Sequence, residues 1–495
     1  MLANRRAKIV ATIGPATRSE ENLEKAIKAG MNVARLNFSH GTHEDHLQVI
    51  QSLRKLSREL RAPVAILQDL QGPKVRVGKF ENGSIEIKPG EKLVITTDEV
   101  LGKPGLIPSD FKELPLACKP GTRILLDDGL MEVKVLNVRG VELDVEVIYG
   151  GLLKNRKGMN LPGVDLPVDA MTEKDYEDLE FGLQNNVDYV ALSFVRHARD
   201  IRKLREIIEE RSSSAKIIAK IEMGEALENL EEICRLSDAV MVARGDLAVE
   251  VGQSRLPQFQ KRIINVCNQL GKPVITATQM LDSMVENPRP TRAEITDVAN
   301  AVLDGSDALM LSAESASGNY PFRCIRTMHE IITEVEKNEE EYYKLSLENE
   351  FLSTPAAIAA SASLSALKLN AKAIICLTTS GKTANIISGF RPKARVIAVT
   401  QHIDVLNTME LMWGIQTHII KPYQNMEDIL TQVDQLMVTH GLAKTGDKVI
   451  ITLGQPIAQG AKTNSIYVHT INGEQYTKLP DTELPLRCQT IPEVQ

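Results

Sequence analysis

Eight short apolar runs, each leading into a charged segment of helical period, constrain this 495-residue chain most. They are KIVATIG (8–14), MNVARLNFS (31–39), VAILQDL (64–70), YVALSFV (189–195), KIIAKIE (216–222), AVMVARGDL (239–247), PVITATQML (273–281) and ALMLSAES (308–315). A strand buried on one face alternates apolar and polar residues, whereas one buried on both faces is apolar nearly throughout. Runs of the second kind, separated by helical segments such as SEENLEKAIKAG and TRAEITDVANAVLDG, predict a parallel sheet covered by helices. Eight such units favour a closed (β/α)8 TIM barrel over an open sheet.

The pattern breaks once. Between residues 71 and 170 the helical period disappears, and IEIKPGEKLVITT, TRILLDDGLMEVKVLNV and VELDVEVIYGG read as strands joined by KPG, DDG and RG turns. This segment is expected to be a β-barrel domain inserted into a catalytic barrel made of 1–70 and 171–345. After the polar bridge NEEEYYKLSLENEF, a second α/β set follows, with strands at AIICLT, RVIAVT, IQTHII, KVIITL and SIYVHTI. It is expected to form a C-terminal α/β domain over 346–472, with 473–495 as a tail. Apolar residues make up 43% of the chain and charged ones 25%, enough for several large cores. A net charge of −7 disfavours a nucleic-acid partner. No apolar run has the length of a membrane span, and the first residues lack a secretory pattern. The six cysteines contain no C-x-x-C pair, which points to reduced thiols in a cytoplasmic protein.

Active sites of such barrels lie at the C-terminal ends of the strands. In KIIAKIE, Lys220 and Glu222 are two apart, so a strand turns both to one face, where burial requires a partner. The second run ends with Arg35, Asn37 and Ser39 on one face, the third with Asp69, the sixth with Arg244-Gly245-Asp246. The seventh carries Thr278, and the eighth Ser312 and Glu314. Any one of these charges reads as a structural ion pair; polar ends on six strands point to a site. Glu222 and Asp246 suit a hard divalent ion such as Mg2+, which takes one or two carboxylates and completes its shell with substrate oxygens and water. Lys220 and Arg35 would face an anion such as a phosphate, and Gly245 lets backbone approach a ligand.

The stretches KIVATIGPAT, NVARLNFSHG, DLQGPKVRVG, LLDDG, KGMNLPG, MTEKD, KIE, VMVARGDLAVE, ATQMLDSM, PRPTRAE and VANAVLDGSDALMLSAESASGNYP resemble the pyruvate kinases. The resemblance runs through most of the chain. It implies phosphoryl transfer from phosphoenolpyruvate to ADP, giving pyruvate and ATP. Glu222 and Asp246 would bind Mg2+, for which Mn2+ can substitute. Lys220 would stabilise the transferring phosphoryl group. Arg35 would hold the phosphate, and Gly245, Asp246 and Thr278 the enolpyruvate end. Asn37, Phe38, Ser39, His40, Arg76 and Lys157 would contact the nucleotide, with the inserted domain as a lid hinged at Gly72-Pro73 and Leu161-Pro162-Gly163. His40, taken alone, reads as a structural histidine. The family is usually tetrameric.

The loop Thr378-Thr379-Ser380-Gly381-Lys382-Thr383 follows a strand and opens a helix, so its N–H groups and hydroxyls could hold a phosphate. A plain helix N-cap reads the same residues equally well; the resemblance implies a site for a phosphorylated activator. Many pyruvate kinases also use K+, and the matching ligands would be Asn37, Ser39, Asp69 and the Leu70 carbonyl. K+-dependent members usually carry Glu at the position of Lys74, with Thr and Lys at those of Leu70 and Gln71. Here Lys74 would supply the cation instead. The competing enzyme reading is a Mg2+-dependent lyase or aldolase acting on phosphoenolpyruvate or pyruvate; the competing non-enzyme reading is a metabolite sensor.

Overall fold

The computed structural model describes residues 5–127, 129–164, 169–338, 352–457, 461–480 and 483–485. All eight apolar runs form strands: β1 (Lys8–Ile13), β2 (Val33–Asn37), β3 (Ala65–Asp69), β4 (Tyr189–Leu192), β5 (Lys216–Ile221), β6 (Ala239–Ala243), β7 (Val274–Ala277) and β8 (Ala308–Leu311). They pair in parallel in sequence order, and β1 closes the ring against β8. The reason for their continuous hydrophobicity is visible in the packing. Val10, Val33, Leu67, Met241, Ile275 and Met310 fill the barrel interior. Ile9, Ala34, Ile66, Val240 and Val274 point outward, against the helices.

The strands end earlier than the runs. β6 stops at Ala243, opposite the last residue of β7, Ala277. Arg244–Val251 is a helix, so Gly245 and Asp246 lie in its first turn rather than on a strand. Thr278, Ser312 and Glu314 likewise follow their strands.

The insertion lies between β3 and β4. It has a six-stranded sheet and a two-stranded one, Ser84–Ile87 paired with Gly151–Lys154. Both sheets cover one core that includes Val77, Ile95, Ile124, Val133, Val145 and Leu153. The expected small barrel is thus two sheets wrapped on a shared core, with register shifts between Met131–Arg139 and Glu142–Tyr149.

In the C-terminal part, β9 (Ala373–Leu377), β10 (Arg395–Thr400), β11 (Ile415–Ile419), β12 (Lys448–Leu453) and β13 (Ser465–Thr470) form one sheet in the order β11-β10-β9-β12-β13. β13 is antiparallel to β12. This part closes the N-terminal end of the barrel. Leu411 enters the barrel's interior cluster, the Tyr189 hydroxyl donates to the Thr408 carbonyl at 2.5 Å, and the Lys8 ammonium donates to Ile415 O at 2.6 Å. The described part of the expected tail is packed: the Leu479 N–H donates to Thr439 O, and Leu484 is buried. Most of the polar bridge, residues 339–351, lies outside the described residues, as does Cys488. The other five cysteines are buried and free. Among the described residues no helix is long and apolar enough to cross a membrane.

Candidate active site

Four charged side chains meet at the C-terminal rim of the barrel. β2 and β3 place Asn37 opposite Asp69, which brings Arg35 beside the same carboxylate. The Arg35 Nε donates to Asp69 Oδ2 at 2.6 Å and its Nη1 to Thr12 Oγ1 at 3.0 Å. The Lys220 ammonium stands 3.2 Å from Asp69 Oδ1 and 2.9 Å from Glu222 Oε1. Asp69 is 1% exposed and Glu222 2%. Burial alone would lower the Lys220 pKa, but Asp69 and Glu222 outweigh it and hold the ammonium above the usual lysine range. Burial alone would raise Asp69; Lys220 and Arg35 overcome it and keep the carboxyl below its usual value. Both shifts favour the charged forms, so Lys220 and Asp69 face each other as an ion pair at neutral pH. Among the described residues Asp69 Oδ1 has no well-aligned hydrogen-bond donor, so its contact with Lys220 is an ion pair.

The first and fourth strands, which had contributed nothing to the expected site, also end in polar contacts. Thr12 orients Arg35. Ser193 accepts from the Lys220 ammonium at 2.6 Å and donates to the Leu70 carbonyl at 2.7 Å. The next residue, Phe194, donates its N–H to Glu222 Oε2 at 2.8 Å. The polar residue closing YVALS was the available signal for Ser193; a backbone donor such as that of Phe194 leaves no trace in residue type.

Gly245 and Thr278 come together across β6 and β7, with the Gly245 N–H donating to Thr278 Oγ1 at 2.8 Å. A side chain at Gly245 would meet nothing closer than 3.8 Å, so the chain itself leaves room there. Thr278 has φ of +70°, a strained conformation for a β-branched residue. Arg244 holds it: Nε donates to Ala277 O at 3.1 Å and Nη2 to Thr278 O at 2.7 Å, while Nη1 pairs with Asp297 at 2.8 Å. Arg244 thus supports the rim instead of facing a ligand. Glu314 is buried and accepts from the Leu281 and Ser312 N–H groups, which makes it a loop brace.

The candidate nucleotide residues fall into two groups. Asn37 Oδ1 accepts from the Ser39 N–H, and His40 is exposed beside them. The Phe38 ring is buried and stacked on His46 at 4.1 Å, so only its backbone faces the rim. Arg76 and Lys157 belong to the insertion, where a β-bridge from Arg76 to Gly158 sets them side by side. Lys157 pairs with Asp127 at 2.8 Å. The insertion leans over the barrel rim: a side chain at Gly129 would touch Val249 of the helix that carries Asp246.

The sequence profile described as the pyruvate kinase barrel domain matches residues 4–325, and that of the pyruvate kinase alpha/beta domain matches 356–469. A pyruvate kinase of Geobacillus stearothermophilus is 45% identical over 473 residues, covering 94% of this chain and 81% of that protein. One from Staphylococcus aureus (strain MRSA252) is 44% identical over 474 residues, 95% of this chain and 81% of the relative. A crystal structure of a pyruvate kinase from Cryptosporidium parvum superposes with a TM-score of 0.89 at 37% identity, covering 95% of this chain and 97% of that one. The chain belongs to the pyruvate kinase family. It is a phosphotransferase, and nothing supports the lyase or aldolase reading.

Pyruvate kinases use Mg2+, and the donors here fit that ion. Glu222 directly follows β5 and Asp246 lies in the helical turn that follows β6, and each offers hard carboxylate oxygens. Among the described residues no group of three or more His, Cys, Asp and Glu could hold a metal by itself. Two carboxylates with the remaining positions left to substrate and water is the arrangement typical of Mg2+. The oxygens matching the family's K+ ligands are mostly engaged within the chain: Asn37 with Ser39, Asp69 with Arg35 and Lys220, Leu70 O with Ser193. Lys74 is half-buried and forms no ion pair among the described residues.

Far from the rim, the 378–383 loop lines a cavity of about 650 Å3 at the C-terminal end of the second sheet. That volume suits a small metabolite. Its lining includes Lys382, Lys462 and the His402 imidazole, with no carboxylate among the described residues. Gly381 takes φ of +78° at the start of the helix Lys382–Gly389, and its N–H donates to Thr378 Oγ1 at 2.9 Å.

The support of Thr278 by Arg244 gives a direct expectation. Arg244→Lys cannot serve two carbonyls and Asp297 from one ammonium. It should lower kcat/KM by about tenfold, roughly the loss of one charge-assisted hydrogen bond, as measured by steady-state kinetics.

Proposed function

We propose that the rim cluster carries the phosphoryl transfer from phosphoenolpyruvate to ADP, giving pyruvate and ATP. The observation that supports this best is the buried Lys220 ammonium, held charged between Asp69 and Glu222 with Arg35 alongside. Phosphoryl transfer needs fixed positive charge and positioning more than covalent chemistry. In this reading Arg35 binds the substrate phosphate and Lys220 meets the charge that develops as the phosphoryl group moves. Gly245, Asp246 and Thr278 hold the enolpyruvate end, and Thr278 lies near the path by which the enolate takes its proton. Glu222 and Asp246 would hold Mg2+, which when bound supplies further positive charge to the phosphoryl oxygens. The nucleotide would lie between Asn37–His40 on the barrel and Arg76 and Lys157 on the insertion. Closure of the insertion would exclude water and suppress hydrolysis; Gly72 and Gly163, at φ of +69° and +70°, are its candidate hinges. A cytoplasmic homotetramer completes the reading.

A coupled assay of pyruvate formation, with and without ADP and Mg2+, tests the activity. Lys220→Met should lower kcat by about a hundredfold or more while leaving metal binding intact. Glu222→Gln should instead raise the Mg2+ requirement. Near-normal turnover of Lys220→Met would remove its assigned role.

The cavity lined by the 378–383 loop is read as the site of a phosphorylated activator, because Lys382 and Lys462 line it and the helix Lys382–Gly389 begins at it. Replacing Ser380 and Thr383 by Asp puts negative charge where the anion would bind. Activation by sugar phosphates or nucleotides should vanish in rate assays while basal activity survives; an unchanged response would exclude the loop.

Lys74 is read as replacing K+, since a fixed cation near the substrate supplies the same field as a bound monovalent ion. The protein should then turn over substantially in buffer whose only monovalent cation is a bulky organic one, and Lys74→Glu should create a K+ requirement. Stimulation of the unmodified protein by K+ of about tenfold or more, a change worth about 1.4 kcal/mol, would show that Lys74 does not substitute for the ion.

A further inference from the structure

Two parallel links join the charged pair at the end of β5, Lys220 and Glu222, to the chain that leaves β3 for the insertion. In one, the Lys220 ammonium donates to Ser193 Oγ at 2.6 Å, and that hydroxyl donates to Leu70 O at 2.7 Å. In the other, Glu222 Oε2 accepts from the Phe194 N–H at 2.8 Å, and the Phe194 ring lies against Gly72. A methyl group added to Gly72 would stand 2.7 Å from Phe194 Cδ2 and 3.1 Å from Ser193 Cβ. Both residues of that contact are conformationally special. Gly72 has φ of +69°, and Phe194 has φ of +54°, a region that aromatic residues rarely occupy. Strain of this kind persists only where the surroundings enforce it.

The linker is also held from its other side. Asp175 is fully buried, and its Oδ1 accepts from the Gly72 N–H at 3.1 Å. Its Oδ2 accepts from the Thr172 N–H at 2.8 Å and hydroxyl at 2.6 Å, where the chain re-enters the barrel after the insertion. One carboxylate thus pins the outgoing and the returning crossing. Gly72 is clamped between Asp175 and Phe194, so it cannot change its dihedrals without moving one of them. The Phe194 amide cannot move without turning Glu222.

We infer that Phe194 is a positioning residue that couples the setting of the insertion's hinge at Gly72 to the orientation of the Glu222 carboxylate. The inference rests on the reading above in which Glu222 holds Mg2+ and the insertion is a lid. Its consequence is that the metal site is fully formed only at one setting of the lid. Ser193 gives Lys220 a matching tie to the residue two before the hinge. The four groups of the rim then respond to the lid as a unit, through these links.

The test compares Phe194→Ala, Phe194→Tyr, Gly72→Ala and the Gly72→Ala/Phe194→Ala double variant. Mn2+ affinity is measured by titration calorimetry in the presence of phosphoenolpyruvate, alongside KM, kcat and thermal unfolding. Phe194→Ala should weaken Mn2+ binding at least fivefold and lower kcat more than it raises the KM for phosphoenolpyruvate. Phe194→Tyr should behave as the parent. Gly72→Ala should show the same loss, and the double variant should lose less than the product of the two, because removing the ring makes room for the methyl group. A drop in unfolding temperature with Mn2+ affinity unchanged within twofold would make Phe194 merely structural and overturn the inference. Independent effects of the two positions would also overturn it. If Gly72→Ala fails to fold, the Phe194 pair alone decides the matter. A Glu222→Gln variant that binds Mn2+ normally would identify the failure as that of the underlying reading, and the inference would fall with it.

Discussion

The burial of Lys220 between Asp69 and Glu222 is the constraint on which the rest of the site depends. Charges removed from water are costly, and a buried ion pair is tolerated only when its geometry is good and its remaining polar atoms find partners. This one is built from three strands, since Asp69 closes β3, Lys220 is on β5 and Arg35 is on β2. None of the three strands can shift register without separating the charges. Such an arrangement adds little to stability, and a set of apolar residues of the same volume would serve the fold as well. Its retention makes sense as preorganisation: a cation already desolvated and fixed needs no rearrangement when charge develops beside it.

The surrounding contacts share that purpose. Arg244 spreads its donors over the Ala277 and Thr278 carbonyls, Asp297, Gln260 and the Met280 sulfur, and the result is a threonine held at positive φ. Glu314 stitches two loops together by accepting their N–H groups, although burial raises its pKa. These residues touch no candidate ligand position. They convert the ends of flexible loops into a fixed frame, as precise chemistry at a strand end requires.

What the sequence disclosed follows the same physics. The eight barrel strands were legible because burial on both faces leaves no freedom to place polar residues within them. Lys220 and Glu222 were legible for the converse reason, as charges in a run where charge is expensive. Ser193 and Thr12 were not noticed, since a hydroxyl at a strand end costs little and resembles any other surface residue. The turn from strand to helix at Arg244 was hidden inside AVMVARGDL because an apolar run does not say where its neighbours stop pairing. The β character of the insertion is legible from its alternating runs and turns, whereas the pairing of Ser84–Ile87 with Gly151–Lys154 apart from the other strands has no compositional mark. Phe194 leaves no signal in the sequence: its tie to Glu222 is a backbone amide, and the contact of its ring with Gly72 is set by a fold that brings two distant segments together.

The barrel floor has a different implication, one of timing. Lys8 and Tyr189 donate to the carbonyls of Ile415 and Thr408, and Leu411 stops the interior. A nascent chain emerges N-terminus first, and its domains generally fold as they appear. All eight barrel strands leave the ribosome before the segment that seals them has been synthesised. The freshly made barrel is therefore open to water at one end, with a lysine and a tyrosine awaiting their acceptors, until the last sheet arrives. A later-translated part of this enzyme is the part that shuts an earlier one.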